Sequence, residues 1–157
     1  AMRLQSDAAK AEVHLGIAAV RRAELDFLGA AAALWEANEL MGRSGADAAE
    51  RAFVAVDLAS VLVEDGDLEG ARSQLDEAES KAHDAGQPHL EARVIGMLAR
   101  IDDEEGNRDL ARKRYSEAIR LAARAGDAVA VDTYQHAMSG STNRKTIVRS
   151  QSGGPDV

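Results

Sequence analysis

The side chains with catalytic potential are four histidines, His14, His83, His89 and His136, and the acidic run Asp102-Asp103-Glu104-Glu105. Hydrolytic or metal-assisted chemistry needs such groups to converge, as two histidines one helical turn apart do or as paired carboxylates do. Here the histidines are scattered, with no i,i+4 pair. His83 and His89 flank the Gly86–Pro88 turn, where a metal would still lack carboxylates, and they read as exposed turn residues. The acidic run sits at a helix end without the spacing of a calcium loop and reads as a solvated face. Gly140 and the Gly153-Gly154 pair have no helix behind them, so they build no phosphate-binding loop. The chain contains no cysteine, which removes thiolate catalysis, disulfides and cysteine zinc sites. No catalytic residue, metal or cofactor is expected.

Composition narrows the classes further. At 157 residues the chain can bury one core, and with aromatics at 3 % that core must consist of Ala, Leu, Val and Ile. Two prolines, abundant alanine and no long alternating run favour helix over sheet. A net charge of −8 argues against nucleic-acid binding and against attraction to anionic membranes. No apolar run approaches the roughly 20 residues that span a bilayer, and the start lacks a basic flank followed by an apolar stretch. A cytoplasmic location is the expectation.

What positions these side chains is a repeat. The stretch LARIDDEEGNRDLARKRYSEA, Leu98 to Ala118, occurs forty residues earlier as LASVLVEDGDLEGARSQLDEA, Leu58 to Ala78. A worn copy, IAAVRRAELDFLGAAAALWEA, runs from Ile17 to Ala37. Each copy reads as an amphipathic helix, a tight break and a second amphipathic helix. Gly66-Asp67 and Gly106-Asn107 make the break in two copies, and Leu25-Asp26 in the first. Small residues recur at Ala18, Ala59 and Ala99, at Ala30, Ala71 and Ala111, and at Ala37, Ala78 and Ala118. Larger ones fill between them: Ile17, Leu58 and Leu98; Val20, Val61 and Ile101; Leu34, Leu75 and Tyr115. Such spacing lets antiparallel helices approach closely and leaves each pair an apolar face that only a neighbouring pair can cover. The units are expected at about 7–45, 46–86 and 87–126, followed by a capping helix over 127–138. Residues 139–157 are expected to form an irregular, basic, Ser/Gly-rich tail.

This pattern resembles the tetratricopeptide repeat, in its longer form of about forty residues. The resemblance implies an all-α, right-handed α-α superhelix of three helix pairs with a concave groove lined by the first helix of each pair. Family members commonly bind peptide segments or partner proteins there, and the longer repeats occur in bacterial regulators and in adaptors. The groove slots map onto Glu12, Leu15, Ala19 and Arg22; onto Phe53, Val56, Ser60, Val63 and Glu64; and onto Arg93, Gly96, Arg100, Asp103 and Glu104. Leu15, Val56 and Gly96 stand where carboxylate-gripping members carry basic residues, which sets that specialisation aside. An apolar floor bordered by Arg93 and Arg100 remains.

The helix from Ala46 to Asp65 bears on the same point. Ala55, Leu58, Ala59 and Leu62 form its core stripe, and Phe53, Val56 and Val63 form a second, so it is apolar nearly all round. Either neighbouring helices cover the second stripe, or a ligand segment does. Trp35 occupies a slot that holds Asp76 and Ser116 elsewhere; either it is buried under the N-terminal helix or an upstream repeat, or it centres a homodimer or inter-domain contact. In the tail, Lys145-Thr146-Ile147-Val148-Arg149 reads either as a disordered or linking segment or as a built-in ligand for a groove, its own or a neighbour's.

The function expected from these readings is non-catalytic: a module that recognises a protein or peptide segment. The alternative is a sensor or oligomerisation domain cut from a larger bacterial regulator.

Overall fold

In the computed structural model the described residues are 2–151, with side chains described for residue 2 and from 5 to 140. Among them the chain is entirely helical: α1 (Met2–Ala23), α2 (Phe27–Ser44), α3 (Ala48–Asp65), α4 (Leu68–Asp84), α5 (Pro88–Glu104), α6 (Arg108–Arg124) and α7 (Ala128–Gln151). The last helix corrects the expected irregular tail, because α7 continues past Met138 to Gln151. Ser, Thr and Asn had suggested a loop there. That stretch holds no proline, however, and the single Gly140 costs a helix only about 1 kcal/mol.

Turns of two or three residues make the helices into antiparallel hairpins. At the end of α3, Gly66 takes φ +91° and its N–H reaches the Val63 carbonyl, while the Asp67 N–H reaches Leu62. Asp67 then turns its carboxylate to the Gly70 N–H at 2.9 Å, so one residue closes a helix and the next caps its successor. The first hairpin uses the same bonds, from Leu25 to Arg22 and from Asp26 to Arg21, with Asp26 capping Gly29. Leu25 therefore sits at φ +61°, where its Cβ is crowded, and it does so with its side chain in water.

The nine repeat alanines are all buried. Ala30, Ala31, Ala33 and Leu34 of α2 meet Val54, Leu58 and Val61 of α3 in one cluster. Ala71, Leu75, Ala78 and Ala82 of α4 meet Leu90, Val94, Leu98 and Ile101 of α5 in the next. Ala118, Leu121 and Ala122 of α6 pack with Ala130, Val131 and Tyr134 of α7. Each first helix is thus seated on the second helix of the hairpin before it. Beyond sequence neighbours, α3 also meets α5, and α5 meets α7.

One element of the acidic run corrects its reading as a solvated face. Asp102 is fully buried, accepting a hydrogen bond from Arg72 at 2.8 Å on one oxygen and from Arg114 on the other. Arg72 also reaches Glu105 at 2.7 Å. The triad ties α4, α5 and α6 at a slot filled by Arg21 and Leu62 in the other units. A carboxylate with two guanidiniums has its lone pairs satisfied, which is the condition for keeping a charge there.

Two outcomes follow. Leu25→Gly removes the left-handed strain and is expected to stabilise the protein by about 1 kcal/mol, net of the entropy glycine adds to the unfolded chain; an unchanged or lower melting temperature refutes the strain. His83 Nδ1 lies 3.1 Å from Glu91 Oε1, and that hydrogen bond, with the carboxylate's charge, raises the imidazole above its ordinary value. A raised folded pKa stabilises below the unfolded value and is lost as pH climbs through the folded one. NMR titration should place His83 above an unperturbed histidine and Glu91→Gln should bring it down; equal midpoints would dissolve the pair.

Candidate functional site

The odd-numbered helices share one face, and two adjoining clefts open on it. The first, about 470 Å³, lies between α1 and α3, with Leu15, Ala19 and Phe53 on its walls and Leu34 and Met41 of α2 beneath. Glu12, Glu50, Asp57 and Arg22 are its charged members. The second, about 290 Å³, lies between α3, α5 and α7 and is lined by Val56, Ser60, Met97, Arg100, Tyr115 and Tyr134 among others. Arg22 and Asp57 line both, so the clefts join along their common wall.

Helical spacing explains why these side chains meet. Leu15, Ala19 and Arg22 recur at i, i+4 and i+7 on α1, and Phe53, Val56, Ser60 and Val63 follow a similar spacing on α3, so each set lies along one stripe. Val56 and Val63 are nevertheless only 3 % and 8 % exposed, packed in the cluster that holds α4 and α5. For those two residues the second stripe of α3 is core, covered by neighbouring helices. Phe53 stays half-buried at the cleft wall. Val63 and Asp103 line neither cleft.

The arginines of the face are largely committed. Arg22 donates to Ser60 Oγ at 3.0 Å and to both oxygens of Glu64, which holds its guanidinium above the ordinary value through the Glu64 hydrogen bond first. Arg93 donates to Asp57 at 2.8 Å and lies over the Phe53 ring, 5.3 Å from its centroid. That guanidinium therefore holds Phe53 and Asp57 together, and it lines the second cleft beside Arg100. Arg100 has no ion-pair partner among the described residues. Such pairs on an open surface contribute about 1 kcal/mol or less to stability, so their main effect is to fix the shape of the wall.

Gly96 has a purpose that the repeat did not reveal. A Cβ built there would stand 2.4 Å from the Tyr134 ring, so the absence of a side chain is what lets α7 close against α5. Tyr134 consequently roofs the second cleft, and burial pushes its hydroxyl above the ordinary tyrosine value. Tyr134 escaped the sequence reading because α7 begins a unit that has no second half to align. Its signal was a lone aromatic forty residues after Val94.

The remaining candidates lie apart. Trp35 is 44 % exposed on α2. Lys145, Thr146, Ile147, Val148 and Arg149 fall on the last turns of α7, and their side chains lie outside the described residues. His89 stacks near Phe53, with centroids 6.1 Å apart, and pairs with Asp127 at 3.0 Å. Among the described residues no group of three His, Asp or Glu side chains is placed to hold a metal ion.

Comparison of the chain with protein-family models and with curated proteins finds no match.

Gly96→Val should force Tyr134 off α5 and cost about 1–3 kcal/mol by overpacking. Hydrogen exchange over residues 128–140 should quicken more than over α3; equal changes in both would show that α7 is not held at this point.

Proposed function

We propose that this protein is a non-catalytic interaction module that takes a partner's peptide or protein segment along the face of α1, α3, α5 and α7. The observation that carries the reading is an apolar cleft of about 470 Å³ left open between α1 and α3, its walls held by internal ion pairs instead of being collapsed. A site of this kind fits a few aliphatic or aromatic side chains. The adjoining cleft offers Arg100, which has no ion pair among the described residues and suits a carboxylate on the same segment. Alanine slots recurring every forty-odd residues and hairpins seated each on the last support a tetratricopeptide-like array, with its right-handed superhelix and concave groove. The second reading, a sensor or oligomerisation domain of a larger bacterial regulator, is favoured by the outward apolar face of α1 and by Trp35.

The test uses residues of the face that the core does not need. Ala19 is exposed on the first cleft, and Arg100 lines the second. Peptides selected from a random displayed library on the wild-type protein should be apolar with an acidic residue. Ala19→Arg and Arg100→Glu should each weaken them at least tenfold, with melting temperatures unchanged within a few degrees. Peptides that bind both variants as they bind wild type, or a library that yields none, would overturn the proposal.

A further inference from the structure

The face of α1 opposite the groove repeats a pattern that the chain elsewhere always covers. Val13, Ile17 and Val20 correspond in register to Val54, Leu58 and Val61 of α3 and to Val94, Leu98 and Ile101 of α5. The α3 set is 5 %, 0 % and 1 % exposed, and the α5 set 0 %, 1 % and 0 %. The α1 set is 61 %, 41 % and 58 % exposed. These residues line an open groove with Gly16, Arg21 and Glu24. They lie two positions from Leu15, Ala19 and Arg22, about 200° round the helix, so this surface is separate from the clefts.

The two buried sets also show what such a stripe accepts. In both cases it is the second helix of a preceding hairpin, presenting alanines and one leucine: Ala30, Ala33 and Leu34 on α2, or Ala71, Leu75 and Ala78 on α4.

We infer that the Val13–Ile17–Val20 face is a docking surface for the second helix of another helical hairpin, carried by a partner whose ridge is alanine-rich with a leucine at its centre. A second copy of this chain is not the occupant, because its ridges of this type are already used, by α2 on α3, α4 on α5 and α6 on α7. Continuity with two interfaces in the same molecule supports the inference, which stands independently of what binds in the clefts.

The chain supplies its own probe. Residues 46–87 placed directly before Asp7 set the ridge of α4 at the distance from Val13, Ile17 and Val20 that it keeps from Val94, Leu98 and Ile101. The chain has no cysteine, so Ile17→Cys reports on the face alone. Maleimide labelling of Cys at that position should slow at least tenfold in the extended chain, and Val20→Asp should restore the fast rate. Unchanged labelling beside a folded added hairpin would overturn the inference. So would an added hairpin that stays unfolded, since the face would then fail to seat a ridge that α5 seats. Slow labelling in the unextended chain, with a dimeric mass in sedimentation, would assign the face to a second copy and overturn it equally.

Discussion

A helix in this protein buries its apolar side almost wholly against the helices next to it in sequence, and that restriction governs the rest. It arises from side-chain size. Alanines at the helix crossings let backbones come close, and one leucine, isoleucine or valine per turn fills what the alanines leave. Contacts are consequently short in sequence, each hairpin being seated on the one before. The burial a helix receives depends on whether it has a hairpin on that side, and α1 has none there among the described residues.

The repeat was legible because it is written in residue size and turn chemistry, both local properties. Gly66-Asp67 and Gly106-Asn107 gave the hairpins, and the alanine slots gave the buried faces. The helix read from Ala46 to Asp65 is found at Ala48–Asp65. Three features were not legible, each for a physical reason. Asp102 looks like its acidic neighbours in one dimension, and only the approach of Arg72 from α4 and Arg114 from α6 makes it a core residue. Val56 and Val63 look like a groove floor, but both are buried in the cluster of α3, α4 and α5, and of the two Val56 alone keeps an edge on the second cleft. The end of α7 was read as irregular from Ser, Thr and Gly content, a weak signal where no proline intervenes.

The face of the odd helices was legible as a stripe and not as a shape. Sequence spacing brought Leu15, Ala19, Arg22, Phe53, Ser60, Arg93 and Arg100 to one side. It could not show that Glu64 and Asp57 claim two of the three arginines, because ion pairs 42 and 36 residues apart depend on the lateral spacing of α1, α3 and α5. Those pairs change the chemistry on offer from a row of cations to an apolar cleft with fixed walls, beside which Arg100 has no ion pair among the described residues. The backbone shows a comparable trade at Leu25, where a strained, exposed leucine replaces the glycine used in the other turns.

Neighbour-only burial is tested most directly by native-state hydrogen exchange resolved along the chain. In a stack of units, local stability follows the neighbours each unit has. Amides of α3, α4 and α5, covered on both sides, should be the slowest. Those of α1, although it is a longer helix than α3, should exchange through openings several-fold to a hundredfold more frequent. Uniform protection, with α1 as slow as α3 in a monomeric sample, would mean that the chain folds as one closed bundle and would contradict the account.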